Sequence, residues 1–583
     1  MAQLDTGLTP PSASSGTSGA APTGGTPGGT PTGGTPAGTP VGAVPSILPP
    51  PPSGPFGLPN PLTPPNALPS GAAAAALAQP VSPFGLPPPG AGITTLQLYD
   101  PNAPALLIQP YVSGGVRGTD NVNYTATNRQ AAAEFILGPG VSISADTPRF
   151  QGVLSGTASG NLYVPTSNLN RIYANLYGNG TGTIVPDHFF VDLKSSLSEA
   201  STLPGLGFIS PTLLPNNVQT QTFTNSLSPY LRESYDGLVD TELRYTFAST
   251  NFGNNTTVIS TTNPVPTNLS GGILNEGTFT AATGTNFERA LSRLTIDASD
   301  FNSSSTSRNE QVSAFNDFGY RFKPNIAAIG RIGYQNLRYP FAPEATFAGA
   351  TWLAGASIGS AANYGYASLE YGRVQGVYGF TGSANYQITP TITVHANLAQ
   401  GISSPTQYFQ SSLINSTLSP NGSIVDQYSG LPTAFYTPGI GLTNNVYRQR
   451  LYNFGVTDQI GINSYALYSY LSYQQSLIPP VPPPTNSIGA FFNYSRDIRP
   501  DLNGNASIGY SRSVNVVTIN SPTPINNTST VTANIGVNYL LSRALTGSIL
   551  YSFSYSPNGG LIVNGRSGDI IANSLQVLLT KGF

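Results

Sequence analysis

From about Leu106 to its last residue, Phe583, the chain alternates apolar and polar residues in run after run, with turns between the runs. The clearest hairpin covers 531–555. Val531, Ala533, Ile535, Val537 and Tyr539 share one face, and Thr532, Asn534, Gly536 and Asn538 the other. After a turn at Leu541-Ser542-Arg543-Ala544, the run Leu545, Gly547, Ile549, Tyr551, Phe553 and Tyr555 opposes Thr546, Ser548, Ser552 and Ser554. Side chains alternate across a strand, so each of these strands has one apolar and one polar face. The same pattern recurs at 488–511 and 391–398. It closes on Leu575, Val577, Leu579 and the terminal Phe583.

A half-apolar strand needs an apolar surrounding on one side only. The chain is 39% hydrophobic and only 8% charged, against roughly 25% charged in soluble domains. No run of about 18 apolar residues occurs, which excludes membrane-spanning helices. Few charges with many Tyr, Phe, Gly, Asn, Ser and Thr suit a β-barrel with a lipid-facing exterior and a polar lumen. Tyr386, Tyr494, Tyr510, Tyr539 and Tyr555 fall near strand ends, where interfacial girdles belong. The fold class is therefore all-β, a large antiparallel transmembrane barrel, and the expected location is the bacterial outer membrane.

Connections alternate in length. Short ones fall near 388–391, 460–462, 497–501 and 541–544. Long ones fall near 403–443, 476–486, 514–528 and 556–572. Traced back from Phe583, every short one lies on the C-terminal side, the asymmetry of periplasmic turns and outer loops. About 21 strands can be read. Both ends on one side require an even number, so a strand is missing from the count, in the stretch 250–310. The expectation is about 22, with a range of 18–22.

Residues 1–93 form a separate region, with 94–583 as the barrel. Pro22, Pro27, Pro31, Pro36 and Pro40 punctuate a Gly-Thr-Pro pattern without hydrophobic period, and Pro-Phe-Gly-Leu-Pro occurs at 55–59 and 83–87. Such a composition predicts a disordered periplasmic segment. Met1-Ala2-Gln3-Leu4-Asp5 lacks the basic and apolar regions of a signal peptide. A trimmed start is the expected explanation.

Charge and motifs exclude several functions. A net charge of -2 gives no case for nucleic acid. There is no Cys, hence no disulfide or thiolate metal site. No cofactor, no metal and no catalytic residues are predicted. Gly355-Ala356-Ser357-Ile358-Gly359 matches G-x-S-x-G, but that motif needs a strand–turn–helix elbow and here falls inside a predicted strand. The N-terminal stretch lacks the composition of a folded plug, which disfavours a plugged TonB-type receptor, and its unstructured composition and the size of the barrel disfavour an autotransporter.

The informative charges lie on polar strand faces. If Leu243, Tyr245 and Phe247 face lipid, Glu242 and Arg244 face the lumen. The same logic places Arg289, Arg293, Asp297, Arg331 and His395 inside. Two roles compete: ion pairs that stiffen a wide barrel, and a wall that attracts anionic solutes or sugar polymers.

The region from about 105 to 583 resembles the outer-membrane family described as β-barrel porin 2. The likeness rests on Thr119-Asp120-Asn121-Val122 after the first strand, Pro139-Gly140-Val141 ahead of the Arg149 strand, and the terminal Phe583. Lys581 departs from the aromatic residue usual at that place. The resemblance implies an outer-membrane barrel and a link to exopolysaccharide or exosortase systems. It supplies no catalytic residues. The expected function is a passive or polysaccharide-export conduit. The alternative is a surface-interaction protein whose loops, especially 403–443, close the lumen. Expected partners are outer-membrane lipid and lipopolysaccharide, the barrel-assembly machinery acting through the strand ending at Phe583, and polysaccharide.

Overall fold

A computed structural model of the 583-residue chain describes residues 105–583 apart from short stretches, the longest being 202–218, 254–268, 432–444 and 558–567. The predicted N-terminal segment 1–93 lies outside the described residues.

The alternating runs form one 22-stranded sheet. Each strand pairs antiparallel with the next, starting with Leu106–Thr119 against Ala132–Asp146. The last strand, Ile570–Gly582, pairs antiparallel with the first, Tyr111 opposite Gly582 and Thr119 opposite Ser574. The sheet is thus closed and has no free edge. An even number is what lets first and last strands meet antiparallel. The strand missing from the sequence count is Gly272–Thr283, inside the expected stretch.

At the seam, the Asp120 carboxylate accepts from Asn573 N (2.7 Å) and Asn573 Nδ2 (2.6 Å). Buried Asn121 donates through Nδ2 to the carbonyls of Ile571 (2.9 Å) and Thr125 (2.8 Å). Phe583 N donates to Pro110 O (3.0 Å), and Lys581 Nζ sits 5.2 Å from the Phe583 ring centre.

The turns on the side of Phe583 are short, as at 147–149, 236–238, 461–462 and 500–501. Most outer connections are longer, and the shortest is Gln375-Gly376 between Val374 and Val377. There φ is +49° at Gln375 and +76° at Gly376. These left-handed values match the type I′ hairpin turn, whose twist fits that of the strands.

Burial alternates with the sequence. Ile535, Val537 and Tyr539, and Leu575, Val577 and Leu579, are exposed on the outside. Thr532, Asn534, Asn538, Ser574 and Thr580 are buried on the inside. Every part of the sheet repeats this, so the barrel wears a continuous apolar exterior over a hydroxyl- and amide-rich interior. Water would not tolerate so large an apolar surface, whereas bilayer hydrocarbon requires it. The protein is an outer-membrane β-barrel.

The outer mouth is drawn inward. Leu337, Tyr339, Ala342, Ala345, Val377, Ile402, Val446 and Leu477 form one buried cluster, with Phe347 and Ile478 packed against it. Its members come from one arc of the rim, the end of Ile326–Arg338 with its following connection and the outer ends of the strands from Val377–Gln387 to Asn463–Ser476, which share this apolar core.

Candidate functional site: the lumen and its inner helix

The connection after strand Ile392–Ser403 folds into the barrel. Ser404 begins a helix, Pro405–Asn415. Its hydroxyl accepts from Gln407 N (3.3 Å) while Gln407 Oε1 accepts from Ser404 N (3.0 Å), a capping box with Pro in the first turn. Residues Pro405 to Leu413 are all buried.

Every wall residue the helix meets points inward. Its partners come from strands Phe189–Ser201, Gln219–Tyr235, Val239–Phe252 and Gly272–Thr283, far from its own root in sheet order. Phe409 meets Phe252 edge-on at 6.2 Å, Gln410 Nε2 donates to Gly272 O (2.8 Å), and Ile414 packs on Ala248, Leu274 and Phe301. At the helix C-terminus, Lys194 donates to the carbonyls of Ile414 and Ser416, the latter at 2.7 Å. A helix ends with unsatisfied carbonyls and partial negative charge, so an ammonium there supplies both hydrogen bonds and charge compensation. Tyr177 Oη and Ser416 Oγ lie 3.3 Å apart.

The segment then returns. His395 Nδ1 is 3.0 Å from Ser429 O and its Nε2 is 3.3 Å from Thr457 Oγ1. Ser429 N and Oγ donate to Asp426 (2.7 and 2.8 Å). The connection therefore docks on one wall through its helix and on its wall of origin through Ser429.

Charges on the inner wall are paired locally. Arg244 lies between Asp192 (2.7 Å) and Glu242 (2.8 Å) and over the Tyr230 ring (3.9 Å). Arg232 reaches the other side of Glu242 at 3.3 Å. Arg331, almost fully buried, makes a forked contact with Asp317 (2.6 and 3.1 Å) and covers Phe315 at 4.0 Å. Arg293 stands opposite Asp317 in register. Asp297 accepts from Gln311 (3.3 Å) and Thr278 (3.3 Å). Arg117 pairs with Glu134.

Of the residues expected in the lumen, Glu242, Arg244, Arg293, Asp297, Arg331 and His395 therefore lie on inner faces. Arg289 does not: it sits exposed in the turn before strand Ala290–Ser303, so strand alternation does not govern it. Reasoning from sequence also missed Lys194 and Asp192, whose partners are remote in the chain, and Asp317, which faces Arg331 across one hairpin. Gly355–Gly359 lies within strand Phe347–Ser360, with no elbow. Among the described residues no group of carboxylates and histidines could hold a metal, and no helix is long and apolar enough to cross a membrane.

No family model and no curated protein matches the chain. Solved outer-membrane structures are similar at low identity. The ferric enterobactin receptor PfeA of Pseudomonas aeruginosa is 10% identical, with TM-score 0.39, over 82% of this chain and 80% of that one. The FrpB iron transporter of Neisseria meningitidis is 7% identical, with TM-score 0.38, over 82% and 81%. The outer membrane protein OpdK of P. aeruginosa is 9% identical, with TM-score 0.31, over 82% and 98%. Likenesses this loose carry nothing beyond themselves, and the barrel stands on its own strand pairing.

Proposed function

We propose that this barrel is a passive conduit for uncharged polar solutes of carbohydrate type, narrowed by the inner helix. One observation carries the reading: the wall satisfies its charges locally, Arg244 with Asp192 and Glu242, Arg331 with Asp317. Apart from Glu370 and Asp297, inward carboxylates with no ion pair among the described residues, what remains toward the lumen is chiefly hydroxyl, amide and tyrosine, groups that hydrogen-bond sugars without selecting ions. Polysaccharide as cargo, and a place in exopolysaccharide export, follow from the resemblance to the β-barrel porin 2 family.

A second reading is a barrel closed by its own segment and acting through its outer surface. The buried helix favours it. Both are tested by reconstituting the full chain, and a variant with 406–444 replaced by a short linker, in planar bilayers and liposomes. Conductance and sugar-driven swelling that rise in the shortened variant support the conduit. No conductance and no swelling in either protein would refute it.

A further inference from the structure

The charges outside the barrel behave differently from those inside. Arg373, Arg448, Arg450 and Arg512 all share the outward face of their strands. Arg373 aligns with exposed Leu369 and Tyr371, Arg448 and Arg450 with Phe454 and Val456, and Arg512 with Ile508 and Tyr510. All four fall at the outer ends of strands Gly365–Val374, Tyr447–Ile460 and Leu502–Val514, away from the side of Phe583. In sheet order two strands separate the first from the second, and two the second from the third. Neighbouring strands lie about 4.8 Å apart, so the arginines line one arc at steps of roughly 14 Å.

Among the described residues none of the four pairs with a carboxylate, and Nε of Arg373, Arg448 and Arg450 is buried without a hydrogen-bond partner. The sequence of the adjoining outer connections offers little relief. Across 339–346, 404–446, 477–484 and 515–527 the acidic residues are Glu344, which is exposed and makes no ion pair among the described residues, and Asp426, whose carboxylate accepts from Ser429. Elsewhere on the outer rim, exterior arginines do meet a carboxylate: Glu310 lies 3.8 Å from Arg308 and 3.9 Å from Arg338.

Aromatic rings hold two of the guanidinium groups. Arg373 lies over Phe347 (5.0 Å) and Tyr378 (5.6 Å), and Arg450 over Tyr473 (5.7 Å). A ring covers the guanidinium face and leaves its N–H edges free, the geometry for forked hydrogen bonds to phosphate. A lipid-facing arginine costs about 2–4 kcal/mol at the bilayer midplane and about 0–1 near the interface. The arc therefore belongs at headgroup level.

We propose that this arc binds the phosphate-bearing headgroups of outer-leaflet lipid, of the lipid A type. The test uses the full-length protein in detergent and native mass spectrometry titrations with three probes: bisphosphorylated lipid A, dephosphorylated lipid A and inorganic phosphate. The first should bind the wild type. R373S and R450S should each weaken it about fivefold, as expected for about 1 kcal/mol per basic residue at a membrane surface. R450K should lose less, since it keeps the charge but not the fork. R496S, on the outward face at the opposite rim, should change nothing. Equal binding of dephosphorylated lipid, saturation by inorganic phosphate alone, or single variants that bind like wild type would each overturn the proposal.

Discussion

Replacing Lys194 with Met should release the inner helix. The ammonium donates to Ile414 and Ser416 carbonyls at the helix end, and methionine keeps the stem while removing the donors. A hydrogen bond to a charged group contributes about 1.5–3 kcal/mol, and a cation at a helix C-terminus up to about 2. The two overlap here, so the docked state should lose about 2–3 kcal/mol in all. At 1.4 kcal/mol per factor of ten, the docked-to-free ratio falls roughly 30- to 150-fold. Asp192 is not stranded by the change, since Arg244 and Thr181 still bind it. The chain has no Cys, so Ser411→Cys supplies a single thiol on a fully buried helix position. A water-soluble thiol reagent should label it at least 30-fold faster when Lys194 is replaced, with the barrel still heat-modifiable on gels. Equal labelling rates would show that Lys194 does not hold the helix.

Three other outcomes are expected. Arg244→Ser should cost about 2 kcal/mol in urea unfolding, below the usual range for a buried pair because the site is partly hydrated. It should also shift the reversal potential toward cation selectivity, as Asp192 and Glu242 become uncompensated. Tyr124, in the first outer connection, has its phenol pushed up to about 12 by burial, against which the Ser554 hydrogen bond pulls down. Its raised value means stability is full below the ordinary pH 10 and is lost as pH rises to about 12, and Tyr124→Phe should flatten that slope in thermal melts. Asn121→Ala removes a buried amide with donors to Ile571 and Thr125, and should destabilise the barrel by about 2 kcal/mol in the same urea assay.

Most strands were legible because lipid outside and a polar lumen inside impose a strict period of two, as in Val531–Tyr539. Gly272–Thr283 escaped because its outward positions include Asn275, Gly277 and Thr283. Asn275 is satisfied there by the Tyr245 hydroxyl (2.8 Å), not by an inward turn. The stretch 403–443 reads from sequence as a long outer connection able to close the lumen, without sign of a helix. Pro405, Tyr408, Phe409 and Leu413 make only a short apolar stripe amid Gln, Ser and Thr, and the start signature is Ser404-Pro405-Thr406-Gln407. The ion pairs were illegible for a different reason. Arg244 and Asp192 are 52 residues apart, and only the register brings them together.

The seam sets how such a ring comes into being. Each hairpin on the side of Phe583 closes a loop of a few residues and the longest outer connection one of about forty, whereas joining Leu106–Thr119 to Ile570–Gly582 closes nearly the whole described chain. A loop roughly a hundredfold longer costs about 4 kcal/mol more entropy to close. That joint is the slowest to find and should form last, after the rest exists as a curled ribbon with two sticky margins. The Asp120 and Asn121 contacts across it add little to a finished wall compared with its ladders. Their larger effect is on time: they lengthen the interval before the margins part, and so the lifetime of the cylinder.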